Sequence, residues 1–282
     1  MTKGTTKRHI APSEPRIRRG YFECRYGQLH VYNAIPPGGG FDESTPLIAL
    51  HPSPGSGATF ERFLPLMGRD RSVYAPDLPG FGSSDAPPSR PALSDYAAAI
   101  ADFCDAMRFR QIDVAGYQTG ALIAADLALA RPNVIRRVVC VGLPVWSEAE
   151  REALRRAAGP VPPGDDGRFL SVEWERLLGR HTGLPADALA RDLAEQLRDG
   201  PRAWWGMQAG LDYPARERLG SVTQSVLILR PRDEWWDATL RARDLMPRAR
   251  LIELTDIGAG AFEAAPERMA AALREFLKRA DS

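Results

Sequence analysis

The sequence predicts an α/β protein whose mostly parallel, twisted sheet is flanked by helices. Short apolar runs rich in Val and Ile alternate with segments in which apolar residues recur every three or four positions. This alternation is typical of buried strands joined through helices. Between Trp146 and Ser221 the strand pattern stops, which predicts a helical cap inserted into the sheet domain. A chain of 282 residues is long enough for one such domain with its insertion.

Composition and charge narrow the class of function. The 37 Lys and Arg residues nearly balance 36 Asp and Glu, and the formal net charge is +1. No global field would therefore attract nucleic acid or an anionic membrane. Cys24, Cys104 and Cys140 are unclustered, which favours a cytoplasmic protein with reduced thiols. No metal-ligand cluster, dinucleotide fingerprint or P-loop is present, so we expect neither a metal nor another cofactor.

A basic segment precedes the first predicted strand. Residues 1–20 contain several Lys and Arg but no apolar stretch of the kind found in signal peptides or anchors. We expect a flexible basic N-terminal arm over residues 1–20, a core formed by residues 21–145 and 222–282, and a cap over residues 146–221. The sequence leaves a homodimer open.

The strands follow from apolar runs that end in turn residues. The first two alternate in polarity and flank Tyr26-Gly27, which predicts a hairpin. Later runs are apolar throughout, as expected for strands buried on both faces. Strands are predicted at residues 21–25, 28–33, 46–50, 72–76, 111–115, 134–142, 222–230 and 250–254.

The helices follow from apolar residues at three- and four-residue spacing. The cap pieces are more polar than the others and are separated by Pro and Gly turns. Helices are predicted at residues 60–67, 93–107, 121–131, 148–158, 172–178, 185–198, 201–211, 237–245 and 266–278. The segment between the last strand and the last helix, residues 255–262, is predicted to be a loop.

The central feature is a tight turn between a strand and a helix. The apolar run that ends at Ala115 is followed by Gly116-Tyr117-Gln118-Thr119-Gly120 and then by a helical pattern. In a parallel sheet, ligands bind beyond the carboxyl ends of the strands. His51, Asp77 and Gln118 all follow strands in this way, so we expect the functional site at this edge.

These segments together resemble the α/β-hydrolase superfamily, over residues 21–278. The similarity depends on the loop that begins at His51, the loop of residues 77–85, the turn around Gln118, the position of the cap and the acidic turn after Leu229. All five occur in the family's order. The resemblance implies the α/β-hydrolase fold, with the sheet and cap described above.

The resemblance also implies where a catalytic triad would stand. The family places a nucleophile on the elbow turn, an acid after a late strand and a histidine after the last strand. Here the nucleophile position is Gln118 and the histidine position is Ala261. The acid position is Glu234, or Asp233 in a second alignment. The chain therefore resembles a variant with Gln at the nucleophile elbow and no catalytic His.

An amide cannot replace an activated serine, because its nitrogen is not nucleophilic and its oxygen is not basic. Loss of such a nucleophile or its base costs roughly 10⁶-fold in the rate of a serine hydrolase. Some elbow variants of the superfamily resemble Gly116-Tyr117-Gln118-Thr119-Gly120 but carry histidine in the middle. Glutamine shares with histidine the ability to donate and accept hydrogen bonds, which favours a polar anchor at Gln118.

Proton transfer could use Glu234, Asp233 or His51, with Gln118 as the anchor. Burial beside tryptophans would raise the pKa of Glu234 and make it a general base. The alternative for Glu234 is an ion pair with a neighbouring arginine such as Arg230. His51 is the histidine of this site that titrates near neutral pH; its alternative role is to order its own loop by hydrogen bonds.

Oxyanion stabilisation would depend on backbone amides. Pro52 and Pro54 have no N–H, so the donors would be the amides of Ser53 and Thr119. The hydroxyl of Ser53 could add a contact or bind a backbone group.

Aromatic residues suggest the character of the ligand. All six tryptophans fall between the start of the cap and the acidic turn, which favours an aromatic pocket for a flat or hydrophobic ligand. Arg176, Arg180 and Arg202 could bind a carboxylate or lie on solvated faces, and His181 could approach the site from the cap. The expected lining is Tyr117, Trp146, Trp204, Trp205, Trp235 and Ala261.

The sequence thus predicts a cofactor-independent enzyme that acts on a small hydrophobic or aromatic carbonyl substrate. Its chemistry would be proton transfer with oxyanion stabilisation, of lyase, isomerase or cyclase type. One alternative is a non-catalytic ligand-binding or regulatory protein on the same fold. Another is a hydrolase whose water is activated by an unconventional base.

Overall fold

A computed structural model of the chain describes residues 14–38, 43–157, 159, 162–180 and 184–278. These residues contain one eight-stranded sheet in the order β1-β2-β4-β3-β5-β6-β7-β8. The strands are β1 (Arg18–Cys24), β2 (Gly27–Ala34), β3 (Leu47–Leu50), β4 (Val73–Pro76), β5 (Ile112–Tyr117), β6 (Ile135–Val141), β7 (Ser225–Pro231) and β8 (Arg250–Leu254). β2 is antiparallel to β1 and β4, and the other neighbours are parallel. The predicted mostly parallel sheet is confirmed.

Helices connect the strands and form the insertion between β6 and β7. The helices are α1 (Leu64–Met67), α2 (Leu93–Ala106), α3 (Thr119–Ala130), α4 (Glu148–Ala157), α5 (Arg168–Arg180), α6 (Ala186–Asp199), α7 (Trp205–Asp212), α8 (Ala215–Arg218), α9 (Trp236–Leu245), α10 (Ala261–Ala264) and α11 (Pro266–Leu277). The described part of residues 146–221, called the cap below, contains helices and turns. None of the helices described combines the length and apolar character needed to span a membrane.

The sheet is buried on both faces. Along β6, Val138 and Cys140 face a core shared with α2, α3 and α9, whereas Val139 and Val141 face a second core shared with α1 and α11. Alternate residues of one strand therefore enter different cores. This arrangement explains why the strand sequences are apolar throughout.

The N-terminal boundary of the sheet corrects one prediction. β1 begins at Arg18, which pairs with Asn33, so residues 18–20 belong to the sheet and not to an arm. Arg19 fixes this end because its guanidinium lies over the ring of Tyr32 at 4.9 Å and bonds Glu61 at 2.9 Å. Most of the predicted arm, residues 1–13, lies outside the described residues.

The predicted loop of residues 255–262 also needs a correction, because α10 begins at its end. Gly260 adopts a left-handed conformation, with φ of 71°. Its carbonyl accepts hydrogen bonds from the N–H groups of Glu263 and Ala264, at 2.9 and 2.8 Å. Ala261 is therefore the first residue of a short helix.

The turn between β5 and α3 is strained and closely packed. Gln118 has φ of 50° and ψ of −112°, a region that residues with a side chain rarely adopt. A Cβ added at Gly116 would lie 2.1 Å from the carbonyl oxygen of Gly120, and one added at Gly120 would lie 2.2 Å from the carbonyl oxygen of Leu50. Both glycines are thus required by backbone packing, and Gln118 is raised on a rigid support.

We predict that Gly120→Ala destabilises the protein by about 1–3 kcal/mol or more, because backbone atoms must move to admit the methyl group. Gly179→Ala, in helix α5, is the matched control: no described residue lies within 4 Å of its added Cβ, and alanine there should stabilise by up to about 1 kcal/mol. The free energies of unfolding in urea measure both changes. Equal effects of the two substitutions would contradict the packing described for the turn.

Candidate active site

A cavity of about 440 Å³ lies between the cap and the carboxyl edge of the sheet. Its walls come from the loop after β3, the turn around Gln118, the acidic turn after β7, the α10 region and cap helices α4 to α7. Most of the exposed wall area is apolar, although polar side chains such as Gln118, Arg176 and Glu234 also line the cavity. These are the usual properties of a site for a small organic ligand.

At the floor of the cavity the side-chain amide of Gln118 contacts two carboxyl groups. The side-chain nitrogen of Gln118 donates to Asp233 Oδ2 at 3.4 Å and to Glu234 Oε1 at 3.3 Å. The N–H of Trp235 donates to Asp233 Oδ1 at 3.0 Å, which orients that carboxyl group. We call Asp233 and Glu234 the acid dyad. The two residues that could fill the triad's acid position thus both contact the residue at its nucleophile position.

The two acids of the dyad differ in exposure. Glu234 lines the cavity and its residue is exposed, whereas Asp233 lies behind it. Burial raises the pKa of Asp233 to about 7, with a further contribution from the charge of Glu234; the hydrogen bonds from Trp235 and Gln118 oppose this rise. Near neutral pH the dyad can therefore hold one proton, which gives it both an acid and a base.

His51 does not belong to this proton-transfer group, which corrects its predicted catalytic role. Its ring is fully buried; Nδ1 donates to the carbonyl of Pro52 at 2.7 Å, and Nε2 accepts from the N–H of Leu78 at 2.9 Å. Burial lowers its pKa. Both ring nitrogens are satisfied by backbone groups, so the alternative role applies: His51 orders the loops after β3 and β4.

Ser53 connects the sheet domain to the cap. Its hydroxyl donates to the carbonyl of Ala203 at 3.0 Å and accepts from the N–H of Met207 at 3.2 Å. The hydroxyl is therefore engaged with the backbone on both its donor and its acceptor side. Of its two predicted roles, the structure shows the backbone contact.

Thr119 is the first residue of helix α3, and its N–H has no acceptor within the helix. It lies at the positive end of the helix dipole, where negative charge is stabilised. Thr119 itself is buried. An oxyanion site made by the amides of Ser53 and Thr119 stays a prediction.

Only part of the predicted aromatic wall faces the cavity. Trp204 and Trp235 line it, whereas Trp146 and Trp205 do not. Trp146 is buried behind Trp235, edge to face with ring centroids 5.3 Å apart, and Trp205 packs against the same core. Their predicted lining role is wrong, because their side chains fill the seam between the cap and the sheet.

Tyr117 occupies the region beside the triad's histidine position. Its hydroxyl accepts a hydrogen bond from the N–H of Gly260 at 2.9 Å, and its ring packs against Phe262. Ala261 is fully buried and does not line the cavity, which corrects its predicted lining role. Burial raises the pKa of Tyr117, with contributions from Asp233 and Glu234.

Two acidic residues in the cavity wall were missed by sequence reasoning. Glu263, on α10, and Asp192, on α6, both line the cavity. Burial, and to a smaller extent the charge of Asp192, raises the pKa of Glu263 to about 8. Glu263 lies two residues after Ala261, the position that the resemblance assigns to the catalytic histidine. This short separation in sequence could have indicated that Glu263 lies near the site. Asp192 resembles any acid on a polar cap helix.

The arginines expected at the site have different positions. Arg176 lines the cavity, where its Nη1 contacts Glu173 Oε1 at 3.3 Å and the carbonyl of Gly159 at 3.1 Å. Arg202 does not line it. The side chain of Arg180 and all of His181 lie outside the described residues.

We predict that Asp233→Asn changes how stability depends on pH. Because the pKa of Asp233 rises from 3.8 to about 7 on folding, its contribution to stability is present below pH 3.8 and is lost as pH rises to about 7. The free energy of unfolding of the variant minus that of wild type should therefore increase over this range and then level off. Asp237→Asn, at an 82% exposed side chain, is the control. Parallel curves for Asp233→Asn and wild type would contradict the assignment.

Comparison with known proteins gives curated relatives that match part of the chain. The chain is 26% identical over 143 residues to the proline iminopeptidase of Heyndrickxia coagulans, covering 49% of this chain and 48% of the relative. It is 35% identical over 117 residues to the 2-hydroxymuconate semialdehyde hydrolase of Pseudomonas sp. strain CF600, covering 39% of each. These matches span about half or less of the length of the curated relatives.

Solved structures match over nearly the whole chain. The enol-lactonase of Burkholderia xenovorans LB400 superposes with a TM-score of 0.76 at 13% identity, covering 92% of this chain and 100% of the other. A hydrolase of Pseudomonas aeruginosa PA01 gives 0.75 at 19% identity, covering 93% and 98%. At these identities the likeness shows the fold. The family model described as alpha/beta hydrolase fold matches residues 45–208. The chain belongs to the α/β-hydrolase family.

Proposed function

We propose that this protein is a cofactor-independent enzyme that acts on a small hydrophobic or aromatic carbonyl compound by non-serine chemistry. The reaction would be of lyase, isomerase or cyclase type. The observation that carries the proposal is the contact of Gln118 with both acids of the dyad, Asp233 and Glu234, at the floor of an apolar cavity. An acid and a base are thereby held where the family's nucleophile would stand.

In the proposed reaction the substrate carbonyl lies above Gln118. The amides of Ser53 and Thr119 stabilise the oxygen as negative charge develops on it. Glu234, which lines the cavity, takes a proton from the substrate or returns one to it. Asp233 holds the proton of the dyad and sets the charge beside Glu234. General acid–base catalysis of this kind contributes roughly 10²- to 10⁴-fold in rate.

The relatives support a carbonyl substrate. Besides the 2-hydroxymuconate semialdehyde hydrolase, a 2-hydroxy-6-oxo-2,4-heptadienoate hydrolase of Pseudomonas putida is 30% identical over 101 residues, covering 34% of this chain and 37% of the relative. Both names describe conjugated carbonyl compounds. Such compounds are small and flat, and they form stabilised anions when a proton is removed.

One alternative is hydrolysis by water, which the hydrolase names of these relatives favour. The acid dyad would then activate water, without an acyl-enzyme. The other alternative is a non-catalytic binding or regulatory protein with the same cavity. The chain's cytoplasmic location and a homodimer stay proposals; the first is consistent with three free cysteines, Cys24, Cys104 and Cys140.

We predict that a fluorophosphonate probe does not label the protein and that activated esters are not turned over through a covalent intermediate. Ser53 is engaged with the cap backbone and the elbow residue is Gln118, so no activated hydroxyl is available. Intact-mass measurement checks the labelling, with a serine hydrolase as positive control. Rapid stoichiometric labelling at a cavity residue together with ester turnover would contradict the proposal of non-serine chemistry.

We further predict that a compound captured from cell extract on the folded protein and identified by mass spectrometry is turned over. With that compound, Glu234→Gln and Asp233→Asn should each lower kcat by about 10²-fold or more, because each removes one of the two carboxyl groups of the acid dyad. Asp237→Asn, which removes an exposed carboxylate on α9, should leave kcat unchanged. Capture without turnover would favour the binding protein, and unchanged rates in both dyad variants would refute the assignment of proton transfer.

A further inference from the structure

We infer that the phenol of Tyr117 donates a hydrogen bond to a second, neutral oxygen of the ligand, at the side of the cavity formed by the loop after β8. This deepens the proposed function and rests on it for the first oxygen, the carbonyl held by the amides of Ser53 and Thr119. The ligand class narrows to a hydrophobic or aromatic carbonyl compound with a further ketone, ester or alcohol oxygen at its other end.

Tyr117 carries a hydrogen-bond donor that has no acceptor in the described part of the chain. Its hydroxyl accepts from the N–H of Gly260 at 2.9 Å, and the described residues make no other hydrogen bond with it. A phenol accepts and donates at the same time, so the O–H is still available. The residue is 3% exposed, and a buried donor without an acceptor is costly. Tyr117 and Gly260 both line the cavity, so an oxygen in the cavity can accept this hydrogen bond.

The order of the strands places the phenol across the cavity from the loop after β3. β3 lies on one side of β5, and β6, β7 and β8 lie on the other. Ser53 follows β3, whereas Gly260 follows β8, and both line the cavity. By bonding Gly260, the hydroxyl of Tyr117 lies on the β8 side. A ligand that reaches from the amide of Ser53 to the phenol therefore needs two oxygens.

Alanine at position 261 leaves this side of the cavity to Tyr117. The resemblance assigns a histidine to that position, whose ring would extend toward the turn after β5. Ala261 is instead fully buried and does not line the cavity, whereas its neighbour Gly260 does. The phenol, bonded to Gly260, therefore provides a polar side-chain group next to the position from which the imidazole would come.

The phenol is held in place by its packing. Tyr117 is the last residue of β5, and it belongs to the core that the sheet shares with α1 and α11. Its ring packs edge to face against Phe262, with ring centroids 5.7 Å apart. The bond from Gly260 fixes the oxygen as well. A donor that is already ordered loses little entropy when a ligand binds, so this hydrogen bond can discriminate between ligands.

The phenol is suited to a neutral acceptor. Burial, followed by the charges of Asp233 and Glu234, raises the pKa of Tyr117 well above its usual value. The phenol therefore keeps its proton at neutral pH and acts as a donor rather than as a base. One neutral O–H is sufficient for a ketone, ester or alcohol oxygen, whereas a carboxylate is bound best by charged donors.

The test is equilibrium dialysis with probes of matched shape. 1,4-Diacetylbenzene carries a neutral carbonyl oxygen at each end, and 4-isopropenylacetophenone has a CH₂ group in place of one of them. Tyr117→Phe should weaken binding of the diketone about three- to tenfold, the size of one neutral hydrogen bond. The monoketone should bind nearly as before, because its one oxygen can take the other end of the cavity. 4-Acetylbenzoate, with a carboxylate at one end, should bind wild type less tightly than the diketone.

Tyr96→Phe is the matched control. Tyr96, on α2, is fully buried, its hydroxyl has no hydrogen-bond partner among the described residues, and it does not line the cavity. Loss of this hydroxyl should leave the binding of both ketones unchanged.

Infrared difference spectra of the bound diketone provide a second measurement, because a hydrogen bond lowers the stretching frequency of a carbonyl group. In wild type both carbonyl bands should lie below their frequency in an apolar solvent, and in Tyr117→Phe one of them should return to it. A merely structural effect of the substitution would not shift one band alone. If Tyr117→Phe does not fold, the wild-type spectrum decides: a carbonyl band at the apolar-solvent frequency refutes the inference.

The inference is also wrong if wild type does not bind the diketone, if it binds 4-acetylbenzoate more tightly, or if Tyr117→Phe weakens both ketones equally or neither. No turnover is measured, so failure here is distinct from failure of the proposed reaction, which is tested by turnover of the captured compound.

Discussion

The hydrogen bonds from the side-chain amide of Gln118 to Asp233 and Glu234 set the arrangement of the rest of the site. They join the turn after β5 to the turn after β7, across the carboxyl edge of the sheet. The backbone of Gln118 is held at φ of 50°, and the absence of Cβ atoms at Gly116 and Gly120 allows the close packing that maintains it. The amide is therefore presented by a rigid support rather than by a mobile loop.

This arrangement is consistent with the prediction that this α/β-hydrolase fold carries no Ser-His-acid triad. Serine catalysis needs a histidine between the nucleophile and the acid. Glutamine has a longer side chain than serine. The amide of Gln118 therefore contacts the acids directly, without a histidine at position 261 between them. The cap remains attached through Ser53. Together these contacts maintain an apolar cavity between the cap and the sheet, with titratable groups beside its floor.

The sequence predicted the sheet well, because strands buried on both faces carry an unambiguous apolar pattern and the loop order restricts the topology. The site was predicted less completely. The sequence does not show whether a histidine side chain faces a cavity or binds backbone groups. The ring of His51 binds backbone groups. Trp146 and Trp235 are equally aromatic, but packing puts one behind the other. Glu263 was missed because its burial depends on a cap helix distant in sequence.

The most direct test of this account is the NMR signal of the Gln118 side-chain amide, followed as a function of pH. If the amide donates to both acids, its proton and nitrogen shifts should change with a midpoint near 7, the pKa of Asp233, and this transition should disappear in Asp233→Asn. An amide whose shifts do not depend on pH, or follow the same curve in Asp233→Asn, would contradict the central role given to the contact between Gln118 and the acid dyad.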